Sequence, residues 1–227
     1  MANTGNAAKD STESAEATSQ SEETRIDFAR GVSPTVEGCQ SPEAITLYTA
    51  QAGIVLDTMR AEGVYRVKMA YVDQKYGEQS WIFREAYSFF VQNASRILPP
   101  PEGAQTAIWA YADELWAGAS AGSWVLKLQV PRDRVVLFDL RAWNKILNLS
   151  YIGEDDADER RFQDRLSSMG IQHATQAFST PFYPQVKQEI RKSWQRLFGS
   201  ADACPTTYVQ AGLWELRPEW VVEARQS

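Results

Sequence analysis

The segment Tyr208-Val209-Gln210-Ala211-Gly212-Leu213-Trp214-Glu215-Leu216 is the most informative stretch of the chain. Its composition predicts a β-strand that runs from Thr206 to Leu216. Because side chains alternate between the two faces of a strand, Glu215 falls on the same face as the apolar Leu213. A carboxylate in that position is either an unusual buried acid or a charge that twists outward at the strand end. A glycine inside a strand often marks a bulge, so Gly212 is suited to supply such a twist.

The remaining elements mix strands and helices without a regular βαβ alternation. Period-2 patterns predict further strands at residues 45–49, 106–111, 123–130, 134–138 and 220–223. Period-3.6 patterns, caps and breakers predict helices from Ile54 to Gly63, Gly77 to Leu98, Asp139 to Leu147, Asp155 to Met169 and Thr180 to Leu197. These elements predict an α+β fold, with a small mixed or antiparallel sheet and several packed helices.

The sequence also predicts how some of these elements pair and pack. Residues 134–138 are expected to pair antiparallel with residues 123–130 across Pro131-Arg132-Asp133. The first and last strands are expected to lie side by side and to bring their polar and aromatic groups to one hollow. On the helix from Gly77 to Leu98, the expected buried stripe consists of Ile82, Ala86, Phe89, Phe90 and Ile97.

Composition divides the chain into a disordered segment and a folded domain, and it indicates the expected location of the protein. Residues 1–42 carry few large apolar side chains and are predicted to be disordered, whereas residues 43–225 are predicted to form a single domain. A net charge of −6 and a pI near 5.0 argue against a nucleic-acid-binding surface over the whole protein. No apolar run is long enough to span a membrane, and no secretory signal is present. With Cys39 and Cys204 read as free thiols, the expected location is the cytoplasm.

Few residues here suit the common forms of catalysis. The chain has one histidine, His173, and two widely separated cysteines, so a zinc site built on several histidines or on a CxxC pair cannot form. The acidic run from Glu154 to Glu159 is typical of a helix start, where carboxylates favour the positive end of the dipole. His173 is read as a surface loop residue, and no metal is expected. Chemistry in this chain therefore depends on carboxylates, arginine, tyrosine and tryptophan.

Several short stretches together resemble a family of uncharacterised bacterial and phage domains, whose members run from an L-[WY]-T strand to a Q-A-x-x-W-E strand. The resemblance extends from Ile45 to Val222. The matching stretches are Leu47-Tyr48-Thr49, Gly63-Val64-Tyr65-Arg66-Val67, Ile108-Trp109-Ala110-Tyr111, Val135-Val136-Leu137-Phe138-Asp139, Trp143-Asn144-Lys145-Ile146-Leu147-Asn148, Ile190-Arg191-Lys192-Ser193-Trp194 and Gln210-Ala211-Gly212-Leu213-Trp214-Glu215.

The order of elements also resembles ADP-ribosyltransferases of the DarT type, which close on a strand that starts with Gln-Ala, as Gln210-Ala211 does here. Thr49 stands where that family has a histidine, and Gly212 stands where it has a glutamate. The resemblance implies an NAD-dependent transferase of the bacterial or phage toxin or defence type, with a protein or nucleic acid as acceptor. The roles that it implies are catalysis by Glu215 and Gln210, and NAD binding by Tyr48, Thr49, Arg66, Trp109, Tyr111 and Trp214.

Two other functions are compatible with the same sequence. One is a non-catalytic module of this fold that binds a nucleotide or a protein in an aromatic cleft, which the missing histidine and glutamate favour. The other is nucleic-acid contact through a local basic helix face. That face would consist of Lys187, Arg191, Lys192 and Arg196.

Overall fold

The computed structural model describes residues 44–199 and 208–227 of the chain. The segment predicted to be disordered, residues 1–42, lies outside the described residues, as do Cys39 and Cys204. Within the described ranges, no helix combines the length and apolar character needed to cross a membrane.

A six-stranded antiparallel sheet forms the centre of the domain, in the spatial order β4-β5-β2-β1-β3-β6. Together with the helices around it, the sheet confirms the predicted α+β class. The strands are β1 (Ala44–Gln51), β2 (Ile108–Tyr111), β3 (Trp124–Pro131), β4 (Val136–Asp139), β5 (Val209–Leu213) and β6 (Val221–Gln226).

Seven α-helices of the described residues surround this sheet. They are α1 (Gly53–Glu62), α2 (Met69–Tyr76), α3 (Ser80–Ile97), α4 (Leu140–Leu147), α5 (Asp156–Ser168), α6 (Ala174–Phe178) and α7 (Pro184–Ser193). Several boundaries follow the predicted signals: Gly63 ends α1 in the left-handed conformation, and the Asp139 carboxylate caps α4 by accepting from the backbone N–H groups of Arg141 and Ala142.

The two faces of the sheet are covered by different layers. Helix α1 packs on one face through Val55, Leu56 and Met59, which join the buried side chains of β3. The opposite face is covered by a larger group of helices, among which α3 and α4 lie over β2, β4 and β5. The period-2 pattern of β3 fits this arrangement, because Leu126, Leu128 and Val130 are all fully buried on the α1 side.

Helix α3 comes so close to β5 that no side chain fits between them at Gly212. A Cβ atom at Gly212 would lie 2.5 Å from Cζ of Phe90, which is closer than carbon atoms approach. The pairing of β5 with β2 and β4 stays regular through this residue, with Gly212 opposite Trp109 and Val136. The predicted bulge at Gly212 is therefore wrong, and the glycine instead gives Phe90 access to the strand backbone.

Two pairing predictions are wrong. Strand β4 pairs with β5 and not with β3, because a short 3-10 turn at Arg132–Arg134 separates them and Phe138 packs beside Phe90 under the helices. The first strand does not lie beside the last ones either: β2 separates β1 from β5, and β3 separates β1 from β6.

Three other predicted features are present in the structure but begin or end at different residues. Ile97, expected in the buried stripe of α3, is 54% exposed because it lies at the last residue of the helix. Helix α7 begins at Pro184 and not at Thr180-Pro181, so the first-turn proline is Pro184 and the predicted Pro181 lies before the helix. Of the predicted strand from 206 to 216, the described part forms β5 over Val209–Leu213.

Replacing Gly212 with alanine should destabilise the domain, because the new methyl group overlaps the Phe90 ring and forces α3 away from the sheet. We expect a loss of about 1–3 kcal/mol in the free energy of unfolding, measured by urea denaturation. The matched control is Gly53→Ala, where the added Cβ would lie 3.8 Å from Nε1 of Trp124, an ordinary contact distance. Equal stability of the two variants would contradict this account of Gly212.

Candidate functional site

A cavity of about 410 Å³ opens between β1, β2, α2 and the turn at residues 116–118. We call it the aromatic pocket, because five tyrosines and two tryptophans contribute to its walls. Its lining residues are Thr49, Ala50, Gln51, Tyr65, Val67, Tyr71, Val72, Lys75, Tyr76, Tyr87, Ala107, Ile108, Trp109, Tyr111, Trp116, Ala117 and Gly118.

The floor of the aromatic pocket is held by hydrogen bonds between neighbouring strands. The Thr49 hydroxyl donates to the carbonyl oxygen of Trp109 at 2.8 Å, which fastens β1 to β2 beside the Tyr48–Tyr111 pair. The same hydroxyl accepts from Nε2 of Gln51 at 2.7 Å. Thr49 is almost completely buried, so its hydroxyl serves first to fix the position of the strand edge.

The inner wall of the pocket is a fixed aromatic pair. Nε1 of Trp109 donates to the Tyr87 hydroxyl at 3.0 Å, and the two rings meet edge to face with centroids 5.2 Å apart. Burial, and then the neighbouring Tyr76, raise the pKa of the Tyr87 hydroxyl, while the bond from Trp109 partly opposes that rise. Burial likewise raises the pKa of Tyr111 and of Tyr65. These phenols stay neutral near pH 7 and offer both donors and acceptors.

Charge in the pocket comes from one side chain. Of the residues that line it, Lys75 alone carries a formal charge, and its Nζ lies 5.3 Å from the centroid of the Tyr76 ring at the exposed end of α2. Two large aromatic side chains form part of the rim: Tyr71 is 53% exposed and Trp116 is 40% exposed. The pocket therefore combines a buried aromatic floor with exposed rings at its opening.

Three of the residues that the sequence assigned to a site meet in the aromatic pocket: Thr49, Trp109 and Tyr111. Tyr48 lies elsewhere, at a small polar cavity that it shares with Lys127, Glu223 and three other residues.

Trp214 and Gln210 are both buried away from the pocket. The indole Nε1 of Trp214 donates to the carbonyl oxygen of Leu98 at 2.7 Å, and its ring packs into the helical core. Gln210 pairs in register with Tyr111 and Phe138, and its Oε1 has no hydrogen-bond partner among residues 44–199 and 208–227.

Glu215 lies between two arginines. Nε and Nη2 of Arg66 donate to its Oε2 at 3.0 and 2.7 Å, and Nε of Arg217 donates to its Oε1 at 2.7 Å. Of the two alternatives that the sequence left open, Glu215 takes the buried one, since it is only 5% exposed. This Arg66–Glu215–Arg217 triad adjoins the bridge between Tyr65 and Leu216, where backbone hydrogen bonds of 2.9 Å run in both directions. Neither Glu215 nor Arg66 lines the aromatic pocket, so the expected single cleft does not form.

The triad also sets the charge of Glu215. Burial by itself would raise the pKa of the carboxyl group, but the hydrogen bonds and charges of Arg217 and Arg66 together hold that pKa below its ordinary value. An ionised carboxylate that is paired on both oxygens suits a structural role, because it fastens the chain after β5 to the segment before α2.

The remaining polar features have local partners. Nε of Arg191 donates to Glu85 at 2.5 Å, Nη2 of Arg196 donates to Glu154 at 2.7 Å, and Lys187 donates to the carbonyl oxygen of Thr180. Two of the four basic residues of this face, Arg191 and Arg196, are therefore paired with carboxylates. In the part of the chain that the structure describes, no three side chains of histidine, cysteine, aspartate or glutamate are placed to hold a metal ion.

Sequence reasoning missed four tyrosines of the aromatic pocket, and one signal could have revealed two of them. Tyr71, Val72, Lys75 and Tyr76 follow one another at i, i+1, i+4 and i+5, which is one face of a helix. Helix α2 was not predicted, so this face went unnoticed. Tyr65 and Tyr87 reach the pocket through tertiary packing, for which the local sequence carries no signal.

Replacing Glu215 with glutamine should destabilise the fold, because two partly buried guanidinium groups lose their counter-ion. We expect the free energy of unfolding to fall by about 1–3 kcal/mol at pH 7.

The pKa of Glu215 is lower in the folded protein than in the unfolded chain. The extra stability of the wild type is therefore fully present above the unfolded pKa of roughly 4.3, and it is lost as the pH falls below that value. Urea denaturation at pH 7 and at pH 3 measures both effects. Glu219→Gln, which removes an exposed partner of Arg217, is the control and should change stability little. A difference between wild type and Glu215→Gln that does not shrink at pH 3 would contradict the assignment.

Comparison with known proteins bears on the family and not on the chemistry. Residues 46–222 match the family described as a domain of unknown function (DUF3841), in agreement with the span from Ile45 to Val222 expected from the sequence. No curated protein and no solved structure matches the chain. The similarity to DarT-type transferases therefore stays a prediction. Because the match covers most of the 227 residues, the chain belongs to the DUF3841 family of domains of unknown function.

Proposed function

We propose that this domain is a non-catalytic module that binds the planar ring of a nucleotide-like small molecule in the aromatic pocket. The observation that carries the proposal is the convergence of Trp109 and Tyr111 with Tyr65, Tyr71, Tyr76, Tyr87 and Trp116 around one cavity. Rings of this kind bind planar ligands by stacking and edge-to-face contact, and they lose little conformational entropy in doing so.

The size and polarity of the pocket support a ligand of this class. A volume of about 410 Å³ lies within the range of roughly 300–1,000 Å³ that is typical of small-molecule sites. The neutral phenols can donate to and accept from the edge of a heterocycle. Lys75, the charged residue of the lining, favours a ligand with an anionic group such as a phosphate that reaches the rim.

In this proposal the domain binds NAD but does not consume it. Transfer of ADP-ribose develops positive charge at the ribose, which a carboxylate in the site would have to stabilise. No carboxylate is found among the lining residues of the aromatic pocket. Glu215, the acid that the sequence offered for this role, has both of its oxygens bonded to Arg66 and Arg217.

The experiment titrates the full-length protein with NAD, AMP and nicotinamide mononucleotide, using calorimetry to measure affinity. The variants are Tyr71→Ala and Trp116→Ala, because these exposed rim residues can be removed without opening the core. Loss of one stacking ring should weaken binding by about 1–3 kcal/mol, or roughly 5- to 150-fold. Phe182→Ala is the matched control, since Phe182 is 67% exposed and lies outside the pocket lining.

The outcomes separate binding from catalysis. Binding of at least one nucleotide that depends on Tyr71 and Trp116, with no consumption of NAD, supports the proposal. Glu215→Gln should bind the same nucleotide with unchanged affinity at a temperature where the variant is folded, because Glu215 lies outside the pocket lining. Steady NAD consumption that Glu215→Gln abolishes would overturn the proposal in favour of a transferase. Absence of binding by all three nucleotides would overturn it as well.

A further inference from the structure

A second cavity, of about 840 Å³, lies between α4, α5 and the turn that precedes α6. We infer that it binds a neutral, hydroxyl-rich small molecule such as a sugar. We call it the amide-lined cavity, after the asparagine and glutamine side chains in its wall. Its lining residues are Asn144, Lys145, Asn148, Ser150, Tyr151, Asp156, Glu159, Arg160, Phe162, Gln163, Leu166, Gln172, His173, Ala174 and Thr175.

The aromatic residues of this cavity are already engaged with one another. Tyr151 and Phe162 stack with their centroids 4.1 Å apart and their planes 10° from parallel. The guanidinium carbon of Arg196 lies 5.9 Å from the Tyr151 ring centroid, and that of Arg165 lies 5.0 Å from the Phe162 centroid. These rings therefore offer little free face for stacking a planar ligand, in contrast to those of the aromatic pocket.

The formal charges around the amide-lined cavity cancel. Lys145 donates to Oε1 of Glu159, which also accepts from the Gly153 backbone N–H at 3.1 Å. A Cβ atom at Gly153 would overlap the Glu159 side chain, so this carboxylate is held in one place. Asp156 and Arg160 contribute one charge of each sign. A cavity with no net charge favours a neutral ligand over an anion or a cation.

The remaining wall carries four side-chain amides, of which Asn148 and Gln163 already donate to the backbone carbonyl oxygens of Asn144 and Gln172, at 2.8 and 3.3 Å. Asn144 and Asn148 lie one helical turn apart, with Gln163 and Gln172 also in the lining. A ligand hydroxyl donates one hydrogen bond and accepts two, so a side-chain amide can satisfy it from either end. Leu166 and Ala174 add apolar groups to the same wall, against which the C–H face of a sugar ring can pack.

Features that appear unrelated in the sequence meet in this cavity. Asp156 and Glu159 of the acidic run lie in the same lining as His173, which caps α6 through a reciprocal bond with Gln176. Within the described residues this grouping does not meet the requirement for a metal site.

The experiment uses saturation-transfer NMR on the full-length protein with glucose, ribose, N-acetylglucosamine and inositol as probes in the millimolar range. The variants are Asn144→Ala and Gln172→Ala, whose side chains are exposed, so the fold should tolerate both. Each should weaken binding of the responding probe by about 2- to 10-fold, the loss expected for one hydrogen bond. Gln188→Ala, an exposed glutamine of α7 outside the cavity, is the matched control and should bind as the wild type does.

Each outcome decides the inference. The inference is supported if the saturation-transfer signal of at least one probe decreases in both Asn144→Ala and Gln172→Ala and is unchanged in Gln188→Ala. Absence of transfer to all four probes would overturn it, as would equal loss in all three variants. Glucose 6-phosphate binding more tightly than glucose would also overturn it, because the site would then select an anion. Thermal unfolding of each variant checks that a lost signal does not come from a lost fold.

Discussion

The contact between the Phe90 ring and the backbone of β5 at Gly212 determines how the helical layer sits on the sheet. Phe90 is fully buried, and its ring centroid lies 4.9 Å from that of Trp109, 5.2 Å from that of Phe138 and 5.5 Å from that of Trp143. Because protein interiors are close-packed, a ring in this position fixes its neighbours together. Side chains from α3, α4, β2 and β4 thus form one aromatic cluster, which depends on a single residue without a side chain.

The same cluster fixes the inner wall of the aromatic pocket. Trp109 packs its ring against Phe90 and Trp143, and its indole N–H positions the Tyr87 hydroxyl. On the outer side, the Tyr71 and Trp116 rings remain exposed, although the Trp116 centroid lies 6.5 Å from that of Tyr208. A buried inner wall with exposed rings at the rim suits stacking of a ligand, because the buried rings are fixed in position while the rim rings lose solvent exposure only on binding.

The sequence was sufficient for features that depend on local pattern. The α+β class, the cap at Asp139 and the alternation of β3 all follow from neighbours within a few residues. It failed where the outcome depends on distant partners. The alternation placed Glu215 on the face of Leu213 and left a buried or an outward-twisted carboxylate open, because no residue near it in the sequence indicates its partner Arg66, which lies 149 residues earlier. Pairing of β4 with β5 was missed for the same reason, since a short turn is the local signal for a hairpin and the long-range packing of Phe138 outweighs it.

Helix α4 lies between the aromatic cluster and the amide-lined cavity, and its two faces differ in chemistry. The Trp143 ring belongs to the aromatic cluster, with its centroid 4.8 Å from that of Trp109 and 5.9 Å from that of Tyr87. The next residue, Asn144, lines the amide-lined cavity, as do Lys145 and Asn148. Successive residues of a helix are 100° apart around its axis, so an apolar stripe and a polar face follow from the 3.6-residue period alone. The Trp143 side of α4 thus supports the inner wall of the aromatic pocket through Trp109, while the Asn144 and Asn148 side contributes polar groups to the amide-lined cavity.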